Sequence, residues 1–512
     1  MIWVVFLAIA VLLLMGARLF VVVGVATMLC FALILGEGVD PDKLVRIVNK
    51  MEGLTTKNVF LSIPMFVAAG TVMTRGGIAA RLVRVAKALV GWLPGGLAVA
   101  AIVACMIFAA ISGSSPVTLV AVGTIMFPAL LQANFPKRAS MGLLMTAGSL
   151  GCLLPPSIAM LIYAISVSGS SGVDPADLFL AGSIPALGIS GLLAIYAVVV
   201  GARAKVPRQK FSRTELFAAV NDGAFALVLP VIVVVGIYSG QFTPTEAGSV
   251  ALAYAVVVCA LVYREMNLRA LADAFSASAI LIGSLILIVV LAFGLNDFLA
   301  EIEAADRMGT WLRAAGLSPF GFFLVVNIAL IFIGALMDSV SATLVFAPLL
   351  APIAIDVYGI DPIHFGVVFV VNMEIGYLAP PVATNLFVGA AIFRQPFGEV
   401  ARAVLPTLAI VCGALVVLMY VPTFSTGLLA AKRGEAIYQP FPWDGKNVIE
   451  ERTEPVPTTT QPALPGSASS DPSAANPPAA NPSPKKAGMT MEEMMKAAEE
   501  SMKKQEPAPS TP

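Results

Sequence analysis

The sequence says nearly the same thing twice, 225 residues apart. ISGSSPVTLV and, further on, GCLLPPSIAM stand within residues 111–164; ALMDSVSATLV and GYLAPPVATNL stand within residues 335–389. Thr118 precedes Pro155, the first of the Pro155-Pro156 pair, by 37 positions, and Thr343 precedes Pro380, the first of Pro380-Pro381, by 37, so the single offset of 225 relates both motifs. Each copy places a Gly/Ser or Asp/Ser cluster in one apolar segment and a double proline in the middle of another. Inside a bilayer, the amides and carbonyls freed by such interruptions are tolerated only where protein buries them or they line a cavity. Paired interruptions in the two halves of a chain therefore point to the binding site of a transporter.

Composition supplies the bilayer. Of 512 residues, 58% are hydrophobic and 12% charged, and apolar runs of about 20 residues, the length that crosses the hydrocarbon core, recur from residue 1 to residue 421. This is an all-α integral membrane protein by composition. The 31 basic and 31 acidic residues balance, so nothing in the net charge suggests a nucleic acid partner. Cys30, Cys105, Cys152, Cys259 and Cys412 are scattered through apolar segments without a CxxC pair and read as packed side chains. The opening MIWVVFLAIAVLLLMGARLF lacks a basic leading region and reads as a first membrane helix, not a cleaved signal.

Charge gives a topology, because Lys and Arg concentrate in short cytoplasmic loops. After two spans, a polar connection over residues 37–57 and a third span over 59–73, residues 75–94 carry Arg75, Arg81, Arg84 and Lys87 and no acid. That stretch is expected to be a cytoplasmic loop. The next apolar block, 95–131, is interrupted at Ser112-Gly113-Ser114-Ser115-Pro116 and followed by Lys137 and Arg138. With basic flanks on both sides it enters and returns as a re-entrant hairpin. Residues 139–168, broken at Pro155 and Pro156, cross outward to Asp174 and Asp177; 179–200 return to Arg203, Lys205, Arg208, Lys210 and Arg213. The second half repeats this with charges reversed: spans at 217–238, 247–263 and 277–295, an acidic loop at 297–318, a hairpin at 320–355 and a broken helix at 365–393. Five crossings and one hairpin per half is odd, so the second copy is expected upside down, an inverted-topology repeat. The expected divisions are a first repeat over 1–210, a second over 211–423 and a tail over 424–512. Ten crossings put both termini on one side, the periplasmic side by charge. In the tail, residues 451–484 are rich in Pro, Ser, Thr and Ala and are expected to stay disordered. Thr490 with Glu493 reads as a capping box opening a short helix to about residue 504.

At SGSSPVTLVAVGTIMFPAL, GQFTPTEAGSVALAYA and GIDPIHFGVVFVVNMEIGYLAPPVATNLFVGA, the chain resembles the large membrane subunit of the TRAP transporters, the tripartite ATP-independent periplasmic family. The resemblance covers residues 1 to about 421. It implies an elevator-type, sodium-driven importer of organic acids in the bacterial inner membrane. It also implies two partners, a smaller membrane subunit on a separate chain and a periplasmic substrate-binding protein. No cofactor is expected beyond sodium as the coupling ion. Where the family commonly has Thr-Pro-Pro-Val-Gly, this chain has Ala379-Pro380-Pro381-Val382-Ala383, which leaves Ala379 only its backbone as a ligand.

A sodium ion takes hard oxygen ligands, and neutral carbonyls and hydroxyls supply them without fixing a charge in the membrane. The expected sodium ligands are Ser112, Gly113, Ser114 and Ser115 facing Gly151, Leu154 and Pro155, and, in the second copy, Asp338, Ser339, Ser341 and Thr343 facing Gly376, Ala379 and Pro380. Half-helix N-termini offer amides to a carboxylate, so Pro156, Ser157, Pro381 and Thr384 are expected at the substrate, and Asn385 matches a family position near it. Asp338 is either an ionisable group at membrane depth or a hairpin-tip cap. Glu374 is either a coupling group or a satisfied buried acid. Thr243 and Glu246 fit a capping box with Pro244 at the first helical position. His364, the one histidine, sits beside Asp361 and Pro362 in an expected loop, which argues against a metal site.

Other classes fit less well. An intramembrane hydrolase needs a nucleophile with a base or a metal cluster, and no HExxH, GxSxG or serine–histidine pairing is present. A channel shares inverted repeats but conducts without a binding protein. A carrier of the same superfamily that works without a binding protein is the nearest alternative. No GxxxxGK[ST] loop is present, so ATP is not the expected energy source.

Overall fold

Helix starts are written plainly along this chain: Asp174-Pro175, Thr243-Pro244, Ser318-Pro319 and Asp361-Pro362 each pair a capping side chain with a proline at the first helical position. Proline costs nothing there, since its missing N–H has no partner inside the helix anyway, and the preceding oxygen satisfies a later amide. A computed structural model describes residues 7–8, 11–12, 19–31, 58–168, 172–208, 210–380 and 383–442. All lie in the unit Met1–Thr453; a second unit spans Glu454–Pro512. The 37–57 connection, most of the first span, the 451–484 stretch and the 490–504 helix fall outside the described residues.

The first half contributes α1 (Leu19–Leu29), α2 (Asn58–Arg75), α3 (Ile78–Val90), α4 (Gly96–Ser112), α5 (Ser115–Gln132), α6 (Lys137–Leu150), α7 (Ile158–Val167) and α8 (Pro175–Arg203). The second contributes α9 (Arg213–Tyr238), α10 (Pro244–Val257), α11 (Leu268–Glu301), α12 (Ala304–Ala314), α13 (Pro319–Leu336), α14 (Ser339–Pro352), α15 (Pro362–Gly376), α16 (Thr384–Phe393), α17 (Phe397–Tyr420) and α18 (Thr423–Arg433). Among the described residues there is no strand. Among the described residues, eight helices are long and apolar enough to cross a membrane, or up to ten if each of two bent pairs counts as one span. Exposed Phe, Leu, Ile and Val side chains stud these helices, as a hydrocarbon surround allows.

The expected interruptions fall where the sequence puts them. Gly113 and Ser114 separate α4 from α5, Met337 and Asp338 separate α13 from α14, and the breaks at residues 151–157 and 377–383 split α6 from α7 and α15 from α16. The connecting stretches differ from expectation. Residues 75–94 are not a loop: α2 bends by 73° into α3, whose Ile78, Leu82, Val83 and Ala86 are buried at helical spacing. Its Arg81 and Arg84 pair with Glu215, Asp222 and Glu265. Residues 297–318 likewise hold the end of α11 and then α12, which lies 225 positions from α3. In both, the density of charge hid an amphipathic helix. His364 is also not in a loop; it is in the first turn of α15, buried, with Nδ1 2.7 Å from Ser425 Oγ and Nε2 3.1 Å from the Met419 carbonyl. Beyond residue 423, α18 packs on α8, and Arg433 pairs with Asp177 at 2.6 Å. The capping box at α10 forms as expected, with the Thr243 amide 2.8 Å from Glu246 Oε2 and the Glu246 amide 3.3 Å from Thr243 Oγ1.

Packing crosses between the halves. The returning arm of each hairpin lies against the second half of the other half's broken helix: α5 against α16, and α14 against α7. The first broken helix also reaches across, α6 packing on α17, where Thr146 Oγ1 donates to Thr407 Oγ1 at 2.7 Å.

Candidate substrate and ion site

The first hairpin tip is built from glycine and hydroxyls. Gly113 closes α4 with φ +60, the left-handed region glycine tolerates, and a Cβ there would lie 2.8 Å from Ile158 Cγ1 and 3.3 Å from the Pro156 carbonyl oxygen. This tip therefore presses on its own broken helix, as expected. Ser114 is the extended residue before α5. Thr118 Oγ1 donates to the Ser114 carbonyl at 2.9 Å and lies 2.9 Å from Ser112 Oγ. The second tip repeats the bond at the same offset: Thr343 Oγ1 donates to the Ser339 carbonyl at 2.6 Å. Asp338 caps α14, its Oδ2 accepting from the Ser341 amide at 2.9 Å and its Oδ1 from Ser341 Oγ at 2.6 Å.

The breaks are held by backbone contacts. After a short 3-10 turn over Gly151–Leu153, Ser157 caps α7 by accepting the Met160 amide at 3.2 Å. In the second break, the Ala383 amide donates to the Ala335 carbonyl at 2.8 Å, and Ala383 has φ +44. That φ is unfavourable for a residue with a Cβ, and it occurs where the family commonly has glycine. Asn385, fully buried, donates from Nδ2 to Ser115 Oγ at 2.5 Å, tying the second broken helix to the first hairpin.

A cavity of about 220 Å³ lies where the two tips meet. Of the expected ligands, Ser112, Gly113, Ser114, Ser115, Asp338 and Ser339 line it. Gly151, Leu154, Pro155, Pro156, Ser157, Ser341, Thr343, Gly376, Ala379, Pro380, Thr384 and Asn385 do not; Ser341, Thr343 and Asn385 stand directly behind the tips through the bonds above. Pro380 and Thr384 are exposed elsewhere, and Pro381 lies outside the described residues. The wall also includes Cys152, Glu374 and Tyr377, together with Thr71 of α2 and Ser284 of α11. Thr71 and Ser284 were not legible, because each makes an ordinary bond to its own helix, to Val67 O at 2.8 Å and Ile280 O at 2.9 Å, and neither belongs to a repeated motif.

The chemistry of this wall has two sides. Its ionisable side chains are acids, Asp338 and Glu374, with no Lys, Arg or His; the Asp338 carboxyl and the serine hydroxyls form a set of hard oxygens suited to a small cation. The first turns of α5, α14 and α7 also face the cavity, through Ser115 and Pro116, Ser339 and Val340, and Ile158 and Ala159. Helix N-termini carry partial positive charge and unsatisfied amides, so three of them around one space favour an anion.

Residues 6–424 match the profile of the tripartite ATP-independent periplasmic transporter, DctM component. The chain belongs to this family. The C4-dicarboxylate TRAP transporter large permease protein DctM of Pseudomonas aeruginosa is 40% identical over 390 residues, 76% of this chain and 90% of the relative. The 2,3-diketo-L-gulonate TRAP transporter large permease protein YiaN of Escherichia coli is 34% identical over 71% of this chain and 84% of its own. Among solved structures, the Alcanivorax borkumensis YdaH transporter aligns with a TM-score of 0.55 and 14% identity, covering 78% of this chain and 91% of that one, a likeness of fold. The DctM family assignment makes the chain the large permease of a bacterial TRAP transporter, a multi-pass membrane protein. The cavity between the hairpin tips thus sits in a DctM permease.

Proposed function

We propose that this permease imports an organic acid by coupling it to sodium. The substrate arrives on a periplasmic binding protein, and a separate small membrane subunit completes the complex in the inner membrane. The observation that supports this reading is the single cavity that joins two duplicated hairpin tips, ringed by three helix N-termini and by carboxylate and hydroxyl oxygens. An anion and a small cation can each find partners there, and bound together each offsets part of the other's desolvation. The relatives named for a C4-dicarboxylate and for 2,3-diketo-L-gulonate are both permeases for carboxylates, which supports that substrate class. In this reading the two halves are inverted repeats, the hairpins are re-entrant, both termini are periplasmic, and transport is elevator-like.

Ser114 gives the direct test. Its carbonyl already accepts from Thr118, and the residue lines the cavity, so Ser114→Ala is expected to raise the sodium concentration for half-maximal uptake by about tenfold with expression intact, in line with the loss of one oxygen ligand. A sodium titration of uptake into proteoliposomes holding both membrane subunits and the binding protein reads it. An unchanged half-maximal concentration would remove that hydroxyl from the ion site. Topology is tested separately: single cysteines at Lys87 and Lys137 are expected to react from the same, cytoplasmic side. Opposite sides would make residues 95–131 a full crossing and overturn the inverted arrangement.

A further inference from the structure

Ser149 and Glu374 are equivalent positions in the two halves, 225 apart, and they touch. Ser149 Oγ lies 2.5 Å from Glu374 Oε2 and 3.2 Å from the Glu374 carbonyl oxygen. Both residues are buried, at 0% and 2% exposure. Each stands two residues before a glycine at its break: Gly151, its first residue, or Gly376, the last residue of α15. If a two-fold axis relates the halves, equivalent positions can be in contact only where they straddle that axis. This pair therefore marks the axis, and it marks it at the wall of the cavity, which Glu374 lines and Ser149 does not.

We propose that Ser149 and Glu374 form a pin between the two broken helices, and that Glu374 acts through it as a positioning residue, its carboxylate held against the wall and out of the binding space. The inference rests on the duplicated architecture proposed above. A buried carboxylate has to take its hydrogen bonds from what is near. Among the described residues, the side-chain hydrogen bond Glu374 makes is the one from Ser149, and no cation pairs with it. α13 and α14, which pack on α15, have no ionisable side chain within their bounds. Lys137 of α6 is at the far end of that helix, near Glu399. Glu374 lines the cavity, so without the Ser149 hydroxyl its carboxyl can turn towards the hydroxyls and amides there that would hold substrate and ion. It would then compete with the substrate carboxylate for the same donors.

The test is a double-mutant cycle in the reconstituted complex, reading the substrate concentration for half-maximal uptake and the maximal rate separately. S149A and E374L are each expected to raise the half-saturating concentration about tenfold, with a smaller change in maximal rate, as for loss of one buried hydrogen bond. S149A/E374L is expected to be no worse than the poorer single variant, because both remove one interaction. E374Q, whose amide oxygen still accepts from Ser149, and S149T, which keeps a hydroxyl, are expected to recover most of the loss. Effects that multiply in the double variant, or an E374Q as poor as E374L, would overturn the pin in favour of a separate role for the charge. If E374L yields no folded protein, S149A against S149T decides alone, and a wild-type half-saturation in S149A overturns the proposal. Wild-type uptake indifferent to sodium would sink the sodium reading and leave this cycle intact, since substrate half-saturation is what it reads.

Discussion

With potassium in place of sodium, uptake by the reconstituted complex is expected to fall to the level of empty liposomes, and Asp338→Ala is expected to do nearly the same with sodium present. Asp338 has two jobs in the structure. Its oxygens cap α14 through the amide and hydroxyl of Ser341, at 2.9 and 2.6 Å, and the same residue lines the cavity as one of its two acids. Alanine removes both. A lost cap alone costs about 1 kcal/mol, which shifts stability without abolishing transport, so a loss of two orders of magnitude or more has to come from the ion. Asp338→Asn separates the jobs, because asparagine caps about as well as aspartate but cannot neutralise a cation. The expected result is an Asn variant as stable as wild type that needs at least about tenfold more sodium. An Asn variant with wild-type sodium dependence would make Asp338 a cap and nothing more, and sodium-independent uptake by the wild type would remove the coupling ion altogether.

Gly376→Val is expected to leave no folded transporter. A Cβ at Gly376 would lie 2.6 Å from Gly334 Cα, 2.7 Å from the Gly334 carbonyl carbon and 3.1 Å from the Ala335 nitrogen. All three are backbone atoms, so no side chain can swing aside, and relief requires α13 and α15 to separate. Overpacking of this kind costs on the order of 3 kcal/mol or more, and the contact sits beside the break that shapes the cavity. Gly188→Ala and Gly283→Ala are the controls, since nothing lies within 4 Å of a Cβ at either, and both are expected to be as stable as wild type. Thermal unfolding and size-exclusion profiles in detergent read all three. A monodisperse, wild-type-stable Gly376→Val would mean that the two helices can part freely.

The hairpins and broken helices were legible because the bilayer penalises what they contain. Ser112 to Pro116, Asp338 and the double prolines stand out against apolar surroundings, and the duplication doubled the signal. The arms α3 and α12 were misread as loops for the opposite reason: at the membrane edge charge is cheap, so Arg81, Arg84, Asp306 and Arg313 drew the eye from the apolar spacing of Ile78, Leu82 and Ala86. His364 was misplaced because Asp361-Pro362 reads equally as a turn or as a cap with proline behind it. The meeting of the two tips in one cavity is a tertiary fact, invisible to any local pattern, as are the crossed contacts Asn385–Ser115 and Thr146–Thr407. The Ser149–Glu374 pair carried one signal that could have been used, the shared offset of 225, which the dissimilar chemistry of serine and glutamate concealed.

The crossed packing has a consequence for how the protein is made. When the ribosome has delivered residues 1–210, α5 has no α16, α7 has no α14 and α6 has no α17 to lean on, so the first half waits with those contact faces unpaired. Chains synthesised at about 5–20 residues per second spend several seconds in that state before the complementary helices emerge. Two fragments divided in the basic stretch between α8 and α9 are for the same reason two parts of one fold and not two small proteins, and they become a transporter only when both are inserted together.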